Sequence, residues 1–427
     1  MASSTKNSVV MPKPKIVRLY MCTWNVGTTD PPSDMTELLG LDKPYKMLPD
    51  MYGIGLQEVS TGDADAEDNK WTKTLTNILG KTGYVRVKVV RMQGLLSLAF
   101  VKRENLLSYE HIESERSKAG MGGWWGNKGG VSTRFDINGV NLIMVNAHLA
   151  AHMNNAMERI EDFFTILDTQ KFRDKDVDNI LDHDYVFWMG DLNFRLDDLS
   201  RSEVEKDIEA KNYSALLKKD QLLRCKEEGL VFTDFEEGPI TFAPTYKFDP
   251  DTDIYDTSEK QRVPAWCDRI LWMVHEDSFQ NLDLSVKQLY YKSLPSYKTS
   301  DHKPVVSEFQ FPVFPHPPNP PVVTIQVPSV WKLGKEVDVT YTYRTNPDLA
   351  SSSWDWIGIY RTDFATYNDY ISYKYAESNT GDKGQPNITV TWKGKDMPTY
   401  PGKYVLCYIS KVKNILMGMS NEFQIVQ

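Results

Sequence analysis

The sequence predicts a layered α/β domain joined to a smaller all-β sandwich, and three observations carry that reading. Strand-like and helical runs alternate over about the first 300 residues, which is the pattern of a layered mixed domain. Six prolines crowd into the eleven residues 311–321, and beyond them the apolar pattern takes a period of two. A chain of 427 residues also exceeds one typical core, so length independently favours two domains.

In chain order, IVRLYMCTW (16–24), YGIGLQEV (52–59), VNLIMVNAHL (140–149) and YVFWMGDL (185–192) read as strands. Val186, Phe187, Trp188 and Met189 form an apolar run without alternation, as expected of a strand buried on both faces. Between two of these strands AMERIEDFFTILDTQKF (156–172) places Met157, Ile160, Phe163, Phe164 and Leu167 on one helical face, with charges opposite. These elements assign 14–312 to the α/β domain. Prolines lack amide donors and hold φ near one value, so 313–321 is expected to be an extended linker. From 322 to 427 come VVTIQV, EVDVTYTY, DWIGIYR, YISYKY, NITVTW, KYVLCYI and EFQIVQ, about seven short strands separated by turn residues. That spacing predicts an immunoglobulin-like β-sandwich; with Cys407 alone it lacks the antibody-type disulfide.

Composition is that of an ordinary globular chain, 25% charged and 41% hydrophobic. A net charge of -9 argues against a general basic surface for nucleic acid, so no nucleic-acid partner is expected. A local basic pocket for an anion remains compatible with it. Cys22, Cys225, Cys267 and Cys407 lie far apart with no CxxC pair, which reads as reduced thiols in the cytoplasm. MASSTKNSVVMPKPK has no apolar signal core, no stretch reaches the roughly 20 apolar residues of a spanning helix, and NEFQIVQ has no prenylation box. Membrane contact is therefore expected to be peripheral.

Several strands end in polar residues. YVFWMGDLNF ends on Asp191 and Asn193, which would share one side if the extended alternation continued; a simple turn is the plainer alternative. TWNVG puts Asn25 after a strand, GLQEV puts Glu58 in one, NAHLAAH supplies His148 and His152, and SDHKP supplies Asp301 and His302. Polar groups converging at strand ends of one sheet suggest a site. Oxygen donors from Glu58, Asn25 and Asp191, without a Cys/His cluster, favour a hard cation, Mg²⁺, over zinc.

TWNVG, GLQEV, WWGNKGG, NAHL, GDLNFR, PTYKFD, PAWCDRILW and SDHKPV, in this order, resemble the inositol polyphosphate 5-phosphatases, relatives of the DNase I-like metal-dependent phosphohydrolases. TWN, QE, GDxN and SDH would fit the whole superfamily, nucleases included; PTYKFD and PAWCDRILW point to the 5-phosphatases. SSWDWIGIYR and NDYISY resemble a SKICH domain, which narrows the match to the SKICH-bearing branch. The resemblance implies a DNase I-like four-layer α/β/β/α sandwich. It implies that Glu58 ligates Mg²⁺ with Asn25 beside it, and that Asp191 orients or deprotonates the attacking water. Asn193 and His148 would hold the 5-phosphate oxygens, and His302, steered by Asp301, would stabilise the developing charge. A doubly anionic phosphate monoester needs such a metal and such donors, and no covalent intermediate is expected because no cysteine or serine sits in a nucleophile motif. Gln57 and Asp268 are expected to support the site from behind, Arg269 being the alternative partner for Asp268.

The resemblance further implies that Tyr246, Lys247, Lys260 and Arg262 contact the 4-phosphate, an ion pair with Glu259 or Asp256 on a solvated loop being the alternative for Lys260, and that Asn127 and Lys128 face the 1-phosphate. Two loops look suited to lipid: RMQGLLSL with Leu95 and Leu96, and MGGWWGNKGG with Met121, Trp124 and Trp125, although tryptophans pack in cores as readily. Expected partners are phosphoinositide lipids, PtdIns(4,5)P2 and PtdIns(3,4,5)P3, with soluble inositol polyphosphates, and a protein partner through the SKICH-like part. Expected placement is cytoplasmic, with peripheral association at the endoplasmic reticulum or plasma membrane. A nuclease on the same scaffold, or a targeting protein with a weakened phosphatase domain, are the competing readings. The acidic balance counts against the first, and the intact polar set counts against the second.

Overall fold

The computed structural model describes residues 13–62, 65–120, 128–174, 176–278, 282–315, 321–343, 354–376, 387–411 and 415–427. In the first domain the strands are β1 (Lys15–Asn25), β2 (Met51–Gln57), β3 (Tyr84–Met92), β4 (Leu95–Lys102), β5 (Tyr109–Ala119) and β6 (Lys128–Ile137). They continue with β7 (Val140–His148), β8 (Tyr185–Asp191), β9 (Asp268–Val274), β10 (Lys287–Ser293) and β11 (Val305–Val313). The helices are α1 (Lys70–Lys81), α2 (Ala156–Thr169), α3 (Arg201–Glu209), α4 (Tyr213–Leu217) and α5 (Gln221–Glu227).

Two sheets form, in the orders β10-β11-β1-β2-β4-β3 and β5-β6-β7-β8-β9. They pack face to face through Met51, Met144, Phe187, Met189 and Phe309, while Trp71, Leu75 and Leu79 of α1 cover the first sheet and Ile160, Phe163 and Ile166 of α2 cover the second. The result is the four-layer α/β/β/α sandwich that the sequence led us to expect. Strand β8 explains its own composition. Tyr185, Phe187 and Met189 enter the layer between the sheets, whereas Val186 and Trp188 face the helices, Trp188 lying 5.0 Å from Phe163 and 5.2 Å from Phe232 between ring centroids. With both faces covered, alternation with polar residues would leave buried polar groups unpaired.

Each sheet contains one parallel pair, β1 with β2 and β7 with β8, flanked by antiparallel neighbours β11 and β9. The carboxyl ends of β1, β2, β7 and β8 and the amino ends of β9 and β11 therefore meet at one end of the sandwich. That end carries the polar strand termini.

The apolar stripe of α2 differs from the expectation. Ile160, Phe163 and Ile166 are buried together with Arg159 and Asp162, while Met157 and Phe164 are 61% and 45% exposed. Two charged residues displace apolar ones because the loop after β7 presents backbone groups there that need partners.

The second domain contains β12 (Val323–Gln326), β13 (Val330–Lys332), β14 (Val337–Tyr343), β15 (Trp356–Arg361), β16 (Ser372–Tyr375), β17 (Ile388–Trp392), β18 (Gly402–Ser410), β19 (Ile415–Met419) and β20 (Phe423–Val426). They form a sheet β12-β14-β17 and a sheet β13-β20-β18-β15-β16, with β19 beside β18. The seven strands read from sequence are all present. Of the two that were not read, β13 spans three residues, and β19 contains Gly418, where a Cβ would meet the Val323 carbonyl oxygen at 2.1 Å. The domains touch. Arg103 donates to the Phe364 carbonyl from Nη2 at 2.7 Å and from Nε at 3.1 Å, and Arg86 N donates to Ala365 O at 2.8 Å.

Candidate active site

Parallel registers bring Asn25 beside Gln57 and His148 beside Asp191, and the antiparallel register sets Asp268 against Asp191. His302, just before β11, is pinned by Trp24 Nε1 donating to its carbonyl at 3.0 Å, and Ser300 Oγ donates to Asn25 O at 2.6 Å. Gly190 is required by close approach: its φ is +148°, and a Cβ would lie 1.9 Å from Ala147 O. The strand ends at Asp191. Asn193 has φ +58°, so strand alternation does not place it; its N–H donates to Asp191 Oδ1 at 3.1 Å, a turn closed by the aspartate. The turn and the polar pair are one feature.

Asp191 Oδ2 is the hub. Asn25 Nδ2 donates to it at 3.0 Å, His148 Nε2 stands 3.2 Å away and His302 Nε2 3.8 Å away. Burial alone would raise the Asp191 pKa, but His302, His148 and Lys128 outweigh it and hold the carboxyl well below the usual range. His302 goes the other way: although burial opposes its charge, Asp268, Asp191 and Asp301 raise its pKa to about 9. Its Nδ1 lies 2.9 Å from Asp268 Oδ2, which also accepts from Thr245 Oγ1 at 2.7 Å. The steering carboxylate is thus Asp268 and not Asp301, whose Oδ2 accepts from Lys247 Nζ at 2.9 Å. Adjacent residues of a chain turn their side chains apart, so the neighbour in sequence is poorly placed for the ring nitrogen. Arg269 is not the partner of Asp268 either, because it pairs with Asp220 and Glu237. Burial and then Lys128, whose Nζ is in hydrogen-bond contact with His148 Nε2, push the His148 pKa below its ordinary value, with Asp191 pulling the other way.

The centre also offers oxygen donors to a cation. Glu58 projects a carboxylate that is 47% exposed from a residue at φ +54°, with Oε1 3.9 Å from His148 Nε2. Asn25 Oδ1, Asp191 and Glu58 make an oxygen set without sulfur, and the buried acceptors Gln57 Oε1 and Asp268 Oδ1 have no hydrogen-bond partner. Such a set fits a hard divalent ion. Asp191, Asp268 and His302 also lie within ligand distance of one another. A protonated imidazole has no lone pair to give, so that trio is better described as a histidine hydrogen-bonded to Asp268 and ion-paired across 3.8 Å with Asp191 than as a ligand nest.

Tyr246 packs its ring 4.6 Å from that of His302, Lys247 stands on Asp301, Arg262 is half-buried with its N–H on Asp256 Oδ2 at 2.9 Å, and Lys260 is exposed. Lys128 reaches the centre itself, through His148. Gln57 Nε2 donates to Asn146 Oδ1 at 2.6 Å across the two sheets. His152 is exposed, and its carbonyl accepts from Arg159 at 2.7 Å. The lipid reading of Leu95 and Leu96 is overturned: both are fully buried, Leu95 with Val90, Met92 and Val131 and Leu96 in the layer under α1. They begin a strand covered on both faces, so the tip of the hairpin is Gln93–Gly94 instead. Met121, Trp124, Trp125 and Asn127 lie outside the described residues. Sequence reasoning missed Arg195, which donates to Asn193 Oδ1 at 2.5 Å and lies 4.2 Å over the Tyr246 ring. Its signal was the last residue of GDLNFR.

Residues 22–308 match the family model "Endonuclease/Exonuclease/phosphatase family 2", and residues 323–425 match the SKICH domain. Inositol polyphosphate 5-phosphatase K of Mus musculus is 37% identical over 429 residues, covering 97% of this chain and 91% of its own length. The chain belongs to the inositol polyphosphate 5-phosphatases. Within them it falls in the SKICH-bearing branch. Phosphatidylinositol 4,5-bisphosphate 5-phosphatase A of Mus musculus is 40% identical over 423 residues, 96% of this 5-phosphatase-family chain, which spans only 42% of that relative's length. The 5-phosphatase domain of SPsynaptojanin, solved with inositol 1,4-bisphosphate and a calcium ion, superposes with a TM-score of 0.64 at 34% identity, covering 71% of this chain and 87% of its own.

Proposed function

We propose that this family member hydrolyses the 5-phosphate of PtdIns(4,5)P2, PtdIns(3,4,5)P3 and soluble inositol polyphosphates by direct attack of water, with Mg²⁺ as its cation. One observation carries the reading: side chains from separate segments of both sheets converge on a single carboxylate oxygen, Asp191 Oδ2. Glu58, with Asn25 beside it, would hold the ion, which when bound draws charge from the phosphate oxygens. Asp191 orients the attacking water by accepting its hydrogen bond. A carboxylate held so strongly anionic is a poor store for the water's proton, so orientation outweighs deprotonation. Cationic His302, backed by Asp268, stabilises the charge that develops at phosphorus. The remaining Nδ2 hydrogen of Asn193, with Lys128 and His148, would meet the equatorial oxygens. Lys247, Lys260 and Arg262, beside Tyr246, supply cations suited to a further phosphate.

The SKICH-type domain would place the enzyme on a membrane or a protein partner. It exposes Trp354, Tyr370, Tyr373 and Tyr375, and among the described residues it holds no candidate metal cluster. Among the described residues no helix is long and apolar enough to cross a membrane; contact with the bilayer would be peripheral, made from the cytoplasm.

The test is phosphate release from PtdIns(4,5)P2, PtdIns(3,4,5)P3 and inositol 1,4,5-trisphosphate, with and without Mg²⁺, for the wild type and Asp191→Ala. Metal-dependent release abolished in the variant is expected; no release from any of the three would sink the proposal.

A further inference from the structure

Helix α2 contributes a buried carboxylate, Asp162, only 3% exposed, whose two oxygens both accept from backbone amides beside the site. Gly120 N donates to Oδ1 and Ala150 N to Oδ2, each at 2.8 Å. The second bond has a consequence at Asn193. The peptide unit joining Leu149 to Ala150 is a rigid plane. Its N–H is held by Asp162, and its C=O, that of Leu149, accepts Asn193 Nδ2 at 3.0 Å. At the other end of the same amide, Asn193 Oδ1 accepts Arg195 Nη2 at 2.5 Å.

The Asn193 side chain therefore has one orientation, nitrogen toward Leu149 and oxygen toward Arg195, which leaves one Nδ2 hydrogen for a ligand. Arg159, one turn earlier on α2 and fully buried, holds the same segment from its carbonyl side. Its Nη1 donates to Ala150 O at 3.1 Å and its Nη2 to Gln221 Oε1 at 2.7 Å. Gln221 Oε1 in turn accepts Arg195 N at 2.9 Å. Both faces of the Asn193 loop thus refer back to one buried strip of α2.

We propose that Asp162 is a positioning residue for the hydrolysis, acting through the Leu149–Ala150 peptide to keep the Asn193 amide nitrogen presented to the phosphate. It never touches substrate in this role. The inference rests on reading the site as one for phosphate-ester hydrolysis.

Asp162→Asn preserves shape but sets an NH2 group against a backbone N–H. With inositol 1,4,5-trisphosphate as probe, kcat should fall by about tenfold or more while KM stays within about twofold, because only transition-state orientation is lost. The deciding measurement is a double-mutant cycle with Asn193→Ala. If Asp162 acts through Asn193, the residual rate of Asn193→Ala should change by less than about twofold on adding Asp162→Asn. The same fall in both backgrounds, or an unchanged kcat in the single variant, would overturn the proposal. Should Asp162→Asn fail to fold, the cycle is run with Asp162→Glu, which keeps both acceptors but moves them one methylene outward, with the same two outcomes deciding. An inactive wild type would remove the reading of the site itself and this inference with it, whereas an active wild type with additive losses removes the inference alone.

Discussion

His302 Nδ1 lies 2.9 Å from Asp268 Oδ2, both side chains buried, while the opposite ring nitrogen stands 3.8 Å from Asp191 Oδ2. The ring is thereby oriented by one carboxylate toward another. Its pKa of about 9 exceeds the ordinary value of 6.5, so the stabilisation from its charge is complete below about pH 6.5 and is lost as pH rises through about 9. Phosphate release should decline on the alkaline side over the same range. In Asp268→Asn the decline should begin at lower pH and kcat should drop by at least about tenfold; a pH–rate profile that does not move would contradict the role given to Asp268.

His183 makes the opposite prediction. It is fully buried, its Nδ1 meets Asn179 O and Ile180 O, and its Nε2 has no partner, so burial and then Arg134 push its pKa down to about 4. A group depressed in the fold keeps its stabilising effect above about pH 6.5 and loses it as pH falls toward 4, a difference of about 3 kcal/mol for a shift of this size. The wild-type Tm should fall between pH 7 and 4.5 more steeply than that of His183→Gln.

Metal dependence should be visible without turnover. A cation held by Glu58 stabilises the folded state by mass action, so millimolar Mg²⁺ should raise the wild-type Tm. Glu58→Gln should lose most of that rise together with phosphate release. An equal rise in both proteins would place the ion elsewhere.

At Gly80 in α1, helix propensity and packing disagree. Replacing a helical glycine by alanine normally stabilises by about 0.5–1 kcal/mol. Here the new Cβ would lie 2.5 Å from Ala365 Cβ of the second domain. Gly80→Ala should therefore lower Tm and speed protease separation of the domains, while leaving hydrolysis of a soluble inositol phosphate nearly unchanged; a raised Tm would show the contact to be unimportant.

Leu96→Ala is expected to cost about 2–5 kcal/mol of stability, as for other fully buried leucines. Activity of the surviving folded fraction on vesicles and on soluble substrate should fall together. A selective loss on vesicles would restore the lipid role that burial removes.

The four-layer order entered through the resemblance of the motifs, whereas the α/β-then-β order of the domains and the polar strand ends are legible in the residues themselves. These are local properties: apolar runs, period and proline content are written residue by residue, and a motif such as PAWCDRILW is contiguous. Asn25, Glu58, His148, Asp191, Asn193 and His302 were all legible that way. Who partners whom is set by long-range packing. Asp268 rather than Asp301 steers His302, because strand register and not adjacency sets side-chain neighbours. Leu95 and Leu96 read as a loop tip until both faces of their strand were seen to be covered. Asp162 and Arg159 looked like the solvated side of an amphipathic helix; the backbone groups they satisfy, at Gly120 and Ala150, belong to segments that precede α2, and no pattern within the helix could reveal them.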